Sequence, residues 1–308
     1  MKYNMAVYVV GGFLRETRLR KGYTQEEVSY GICTTASLSR IENGAQKPGR
    51  LILEKLFERL GTENNLFNSF VSREEMELYS EIQTLIRDIT DEDVVKIEKQ
   101  IDVVEKLAVN TTELEHQCLY FAKGELARQK EKDDKKAMEM YMKAIHITLP
   151  DFDGKNPLRN NLLTFDEIMI INAIAILHAK ADDIMTAVQL GMWLKKYMEE
   201  KIVDGTMKIA KYPMILYNLS NWLGRENCHK EALKMADLGI RFCIRYGNLA
   251  FFPILVFNKG GALAELGKID QAKKYLHQSV TIFEAMDRPD LIQVATDWCK
   301  LHYRIDIQ

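Results

Sequence analysis

Apolar residues recur along this chain at three- and four-residue intervals, the spacing of one buried face of a helix. Between residues 13 and 60 they form four short clusters separated by turn residues. Phe13, Leu14, Thr17 and Leu19 make an inward face, Arg15, Arg18, Arg20 and Lys21 lie outward, and Gly22 ends this first helix. Thr24 stands three residues before Glu27 as a capping box, and Val28 and Ile32 give the second helix its apolar side. Gly31 supplies a corner. A third helix is capped by Thr34 or Thr35, buries Leu38 and Ile41 and stops at Asn43-Gly44. After the Pro48-Gly49 break, a fourth runs from Leu51 to Leu60 and stops at Gly61.

Beyond residue 71 the elements become longer. Residues 72–108 read as an amphipathic pair, "SREEMELYSEIQTLIRDI" and "DEDVVKIEKQIDVVEKL", with Asp91 or Thr90 capping the second. Then the pattern repeats. The segments starting at Pro213 and Pro253 align without a gap, matching Tyr217 with Phe257, Asn218 with Asn258 and Ala232 with Ala272. Weaker copies place Asn172 and Ala187 similarly, and an earlier one places Ala137. Hairpins recurring every forty to fifty residues predict a solenoid, because one hairpin cannot bury its own apolar face and must stack on neighbours. Five such pairs are expected, with a final helix over 291–305. The mixed-charge run "RQKEKDDKK" at 128–136 reads as a solvated loop at a hairpin turn.

Composition agrees with an all-α protein. Glycine (17) and proline (6) are scarce among 308 residues, 47% of which are hydrophobic and 28% charged. The expected division is 1–70 and 71–308. Residues 1–71 carry ten Lys/Arg against seven Asp/Glu, while the whole chain stands at −2, so the amino-terminal part is the more basic. The five cysteines are odd in number and scattered, which points to a reducing cytoplasm rather than a disulfide framework. Cys33 reads as a small buried hydrophobe at the corner. The run "MAVYVVGGF" is too short to span a bilayer. The His/Cys groups at 116–118, 228–229 and 299–302 are isolated, with no second half at zinc-ligand spacing, and no phosphate-binding loop, nucleophile elbow or dinucleotide fingerprint is present. No catalysis, metal or cofactor is expected.

The outward face of the third helix, Thr35, Ala36, Ser37, Ser39 and Arg40, has the small hydrogen-bonding side chains and single arginine that a reader of base edges needs. The run "LRETRLRKGYTQEEV…LSRIENG…KP" resembles the Cro/repressor-type helix-turn-helix family. That resemblance implies phosphate contacts by Gln25 and Asn43, base reading by Thr35, Ala36 and Arg40, and an internal Arg18–Glu42 pair. Thr34, Ser37 and Lys47 complete the expected DNA-binding set. The shortened spacing in "GICTTASLSRIENG" resembles the variant in PlcR-like peptide-pheromone-responsive regulators, and the base-reading register stays open by one residue.

Gly260, Leu263, Gly267 and Ala272 sit as in a tetratricopeptide repeat, although the spacing exceeds the usual 34 residues. In peptide-binding members of that family the asparagine matching Asn218 and Asn258 bonds the peptide backbone. A carboxamide offers both donor and acceptor, so a ladder of Asn172, Asn218 and Asn258 can hold successive peptide units. Tyr217, Asn221, Trp222, Phe257 and Lys259 are the neighbouring candidates for contacts with side chains or a carboxylate. The other reading is that these asparagines bond adjacent helices. Together the resemblances imply a small helix-turn-helix domain followed by a right-handed helical-hairpin solenoid. The corresponding function is a cytoplasmic, homodimeric transcription regulator that binds operator DNA and a short signalling peptide. The alternative is a repeat domain that docks a partner protein or only dimerises.

Overall fold

The computed structural model describes residues 5–62, 73–90, 94–107, 113–158, 162–201 and 205–303. Among these the chain forms fifteen helices and no strand. They belong to two compact units, one built from described residues up to Leu177 and the other from those beginning at His178.

The first unit opens with α1 (Met5–Arg20), α2 (Gln25–Ser29), α3 (Thr35–Glu42) and α4 (Arg50–Arg59). Helix α1 begins eight residues before the expected Phe13. The adjacent Gly11 and Gly12 disguise it, since each disfavours helix by about 1 kcal/mol relative to alanine. Gly11 is needed where α1 crosses α3: a Cβ there would stand 2.0 Å from the carbonyl oxygen of Ile41. Leu19 is 57% exposed, contrary to expectation, because it lies well round the helix from Leu14, Thr17 and Arg18, which are buried.

Next come α5 (Arg73–Thr90), α6 (Val94–Leu107), α7 (Glu113–Leu126), α8 (Asp134–Thr148) and α9 (Phe165–Lys180). Thr90 closes α5; the proposed cap at Asp91, like the boundary near residue 70, lies outside the described residues. The expected solvated loop at 128–136 is only partly loop. Ala127–Glu131 continues α7 as a π-helical turn, and Arg128 turns inward to Glu125 at 2.5 Å, a carboxylate that also accepts from the Tyr141 hydroxyl.

The core of α1–α4 does not close on itself. Leu114 from α7 and Leu162 join Leu14, Val28, Leu38 and Leu56 in one cluster. Above it, α4 is clamped to the start of α9. Arg59 donates to Glu167 at 2.7 Å with both side chains wholly buried, and also to the Tyr30 carbonyl. Lys55 pairs with Asp166 and with Glu58, each at 2.9 Å, and Glu58 accepts from the Phe165 N–H at 2.9 Å. Thr164 and Glu167 form a capping box at the start of α9, so Glu167 serves both as helix cap and as counter-ion.

The second unit contains α10 (Ile184–Glu200), α11 (Gly205–Arg225), α12 (His229–Tyr246), α13 (Phe252–Glu265), α14 (Ile269–Ala285) and α15 (Pro289–Tyr303). The ten helices from α5 to α14 stand where five pairs were expected, and α5 with α6, α7 with α8, α11 with α12 and α13 with α14 pack as pairs; the final helix follows, and its proposed end at Ile305 lies outside the described residues. Four turns share one device. A residue of positive φ (Lys132, Asp182, Asn227 or Gly267) is followed by the cap residue (Asp133, Asp183, Cys228 or Lys268). Four residues on, the repeat alanine donates its N–H to that cap's carbonyl and is at most 2% exposed: Ala137, Ala187, Ala232 and Ala272. Small residues are needed there because neighbouring helices approach closely.

The matched prolines differ in setting. Pro253 opens α13, where its missing N–H costs nothing, whereas Pro213 lies inside α11 and leaves the Ile209 carbonyl without its helical donor. The Asn248 side chain, from the turn after α12, donates to that carbonyl at 2.8 Å and replaces the missing bond.

Candidate functional site

Helix α3 is short and strongly two-sided. Thr34 is its cap, accepting from the Ser37 N–H at 3.1 Å, while Leu38 and Ile41 face the core at 0% and 1% exposure. Thr34, Thr35, Ala36, Arg40, Asn43 and Lys47 are exposed, and Gln25 and Ser37 half-buried. The expected residues are thus gathered on and around one helix, with the positive end of its dipole at the threonines.

Beneath them lies the Arg18–Glu42 pair implied by the helix-turn-helix resemblance. It is bidentate, at 2.6 and 2.9 Å, and Arg18 also donates to the Tyr23 carbonyl at 2.9 Å. The Gln25 amide donates to Glu42 at 2.7 Å, so the first residue of α2 is tied to the last of α3. Two fork-geometry bonds and a third donor fix the angle between these helices more firmly than a point-charge contact would.

Arg40 is held from both sides. Its Nε donates to the Gln46 side-chain amide oxygen at 3.0 Å and one terminal nitrogen to the Ser37 hydroxyl at 3.3 Å. Arg15 reaches from α1 to the Asn43 carboxamide oxygen at 3.5 Å. Arg15 and Gln46 were absent from the expected set. The sequence marks Arg15 as outward on its own helix, but only the packing of α1 on α3 brings it beside Asn43; nothing in the sequence marks Gln46.

The corner before α3 is fastened from behind. Gly31 has φ +68°, and a Cβ there would stand 2.0 Å from the Thr148 carbonyl oxygen at the end of α8. The Tyr30 hydroxyl donates to Asp151 at 2.5 Å, and burial together with that bond pushes the phenol up to about 12. Burial also raises the Cys33 thiol, which suits a packing role rather than a reactive thiolate.

The second unit holds a cavity of about 570 Å³, in the range of small-ligand sites. Tyr217, Asn221, Phe257 and Asn258 of the expected peptide set line it. The NH₂ group of Asn258 is directed at α11, to the Ser220 hydroxyl at 2.6 Å and the Tyr217 carbonyl at 3.3 Å. Asn218 and Trp222 are buried, at 7% and 4% exposure, and Lys259 pairs with Asp237 at 2.7 Å over the Tyr275 ring; none of the three lines the cavity. Asn172 is buried in the first unit. Sequence reasoning missed Arg225, His229, Glu265 and, on α15, Val294 and Trp298, all of which line the cavity. The last two are four apart on one helix face, a signal that was read only as a terminal cap.

Among the described residues no group of His, Cys, Asp or Glu is placed to hold a metal ion, and no helix is long and apolar enough to cross a membrane. Residues 9–70 match the family model of the helix-turn-helix domain. A 63-residue segment is 38% identical to an uncharacterized HTH-type transcriptional regulator of Bacillus subtilis (strain 168), YqaF, covering 20% of this chain and 83% of that protein. The fold is similar to that of Bacillus thuringiensis PlcR in complex with the peptide PapR7 and DNA, with a TM-score of 0.60 at 18% identity over 93% of this chain and 98% of that one. It is also similar to the apo form of the competence regulator ComR from Streptococcus vestibularis, with a TM-score of 0.51 at 13% identity over 96% and 98% of the two chains. These likenesses agree with an all-α chain of helix-turn-helix followed by tetratricopeptide-like hairpins. The chain belongs to the helix-turn-helix transcriptional regulators, a family of DNA-binding proteins rather than enzymes.

Proposed function

We propose that this regulator works in the cytoplasm as a homodimer, with residues 1–70 binding an operator and residues 71–308 binding a short linear peptide that alters DNA binding. The observation that carries the first half is the exposed α3 face, on which Arg40 is pre-positioned among Thr35, Ala36 and Ser37. A guanidinium already held on one edge loses less entropy on meeting a guanine than a free one does. Gln25, Asn43 and Lys47 then supply phosphate contacts, which position the helix without reading sequence. A homodimer follows from the reach of one such helix: it covers a few base pairs, and two-fold pairing matches palindromic half-sites.

The second half rests on the cavity in the second unit, supported by the fold shared with a protein crystallised with both a peptide and DNA. A recess of this size, with Val294 and Trp298 left exposed beside it, favours a small or extended occupant over a repeat domain that only dimerises. In the proposed mechanism the peptide favours one arrangement of the repeats and so biases how the two DNA-binding parts are presented. The shift is limited by its differential affinity for the two arrangements.

Arg40→Ala is the direct test of the recognition helix. It is expected to weaken operator binding by about 1–3 kcal/mol while leaving non-specific DNA binding nearly unchanged, so that the specificity ratio collapses. Lys47→Ala is the contrasting control, expected to weaken specific and non-specific binding alike and to lower the salt slope by about one. Titrations of labelled operator and of unrelated duplex at several salt concentrations separate the two. An unchanged specificity ratio in Arg40→Ala would remove α3 from base reading.

A further inference from the structure

The cavity of the second unit has an apolar wall and a charged end. Ile254, Phe257, Phe283, Leu291, Val294 and Trp298 supply the first, and Val294 and Trp298 remain 65% and 47% exposed. Large apolar side chains left open beside a recess gain most from an occupant that covers them. At the other end, the charged residues lining the cavity are Arg225, His229 and Glu265.

These three are not equivalent. The Arg225 guanidinium is already committed, donating to the Ala179 carbonyl at 2.9 Å and to Asp182 at 3.2 Å, so its charge is matched on the cavity's rim. Glu265 has only His229 for company, and their closest approach is 4.0 Å, beyond a hydrogen bond. The His229 Nδ1 is itself buried without a partner among the described residues. Among the described residues the recess therefore offers one carboxylate with no hydrogen-bonded partner, whereas its one permanent cation, Arg225, already has a counter-ion in Asp182.

We propose that the cavity selects a peptide segment that carries bulky apolar side chains and one cationic group, the cation pairing with Glu265 while the apolar side chains cover Val294 and Trp298. This rests on the reading of the repeat domain as a peptide receptor and adds the chemistry of its ligand. An acidic segment is disfavoured, since its carboxylate would face Glu265 and would have to compete with Asp182 for Arg225. Asn221, exposed on the α11 side of the same recess, is the group placed to bond the peptide backbone. The cation has two sources of one chemistry, a lysine or arginine side chain and a free α-amino group.

The test uses the full chain and synthetic pentapeptide mixtures. Four positions vary over Leu, Ile, Val, Phe and Tyr, one position holds Lys, norleucine or Glu, and each mixture is made with a free and with an acetylated amino terminus. Peptides retained by the protein are quantified by mass spectrometry for the wild type, Glu265→Gln and Trp298→Ala. The expected result is at least tenfold enrichment of cation-bearing over acetylated norleucine peptides, lost in Glu265→Gln, with retention of every mixture lost in Trp298→Ala. Enrichment that needs Lys identifies a side chain, and enrichment that needs the free amine identifies the terminus. Retention that depends on Trp298 but is indifferent to cation and to Glu265, or that favours Glu, overturns the charge assignment and leaves the peptide cavity standing. Retention of no mixture overturns both.

Discussion

Glu167→Gln is expected to cost the first unit about 3–5 kcal/mol of stability, because it leaves the Arg59 guanidinium charged, wholly buried and without its counter-ion. Glutamine keeps the shape and can still cap α9 by accepting from the Thr164 N–H, so the loss isolates the charge rather than the cap. The paired replacement of Arg59 and Glu167 by methionine removes both charges. It is expected to recover much of the loss, although the Tyr30 carbonyl then forfeits its Arg59 donor. Urea unfolding followed by far-ultraviolet circular dichroism measures both variants. All three tryptophans, Trp193, Trp222 and Trp298, lie in the second unit, so their fluorescence monitors that unit separately. A cost below about 1 kcal/mol, the range of exposed pairs, would contradict the buried clamp.

The second large effect is expected from Gly31→Ala. An L-residue at φ +68° costs about 1–2 kcal/mol in backbone terms alone. Here the added methyl also meets the Thr148 carbonyl at 2.0 Å, a backbone atom that cannot rotate away. Relief requires the corner to lift off α8, which breaks the Tyr30–Asp151 bond and tilts the start of α3. The variant is therefore expected to lose more than 2 kcal/mol and to bind operator weakly even where it stays folded. Gly22→Ala is the control. Its φ is +75° but nothing lies within 4 Å of the added Cβ, so only the backbone cost of about 1–2 kcal/mol is expected. Equal losses at the two glycines would show that the approach to α8 is loose.

Local signals carried far along this chain. The capping box at Thr24 and Glu27, the stops at Gly44 and Gly61, and the buried alanines at Ala137, Ala187, Ala232 and Ala272 follow from patterns within a few residues. Where a local signal misled, a tertiary contact had won. Gly11 and Gly12 hid the first two turns of α1, and of the two it is Gly11 that the crossing with α3 requires to lack a Cβ. Three of the four repeat turns place Lys132, Asp182 and Asn227 at positive φ, so the single Gly267 gave no hint that all share one geometry. The site divides in the same way. The α3 face was legible because all its residues lie within one short motif, whereas the grip of Gln46 on Arg40 and of Arg15 on Asn43 depends on packing. The clamp from Arg59 to Glu167 joins residues 108 apart, beyond any local pattern. In the cavity, residues of α11 and α13 were visible through the repeat, but α15 falls outside it and contributes the apolar wall through Val294 and Trp298.

The account's central claim, that one chain reads DNA through α3 and is controlled by a peptide in its repeats, is tested most directly by operator binding of the purified full chain. The DNA comes from the region upstream of its own gene, and the titration is run without and with synthetic fragments of small secreted-peptide precursors encoded nearby. The account predicts a sequence-specific complex whose affinity changes at least tenfold with one of these peptides, a change abolished by Trp298→Ala, while Arg40→Ala weakens the complex by about 1–3 kcal/mol and lowers its specificity. Specific binding that no peptide alters would contradict the sensing half and leave a helix-turn-helix regulator whose repeats serve another partner.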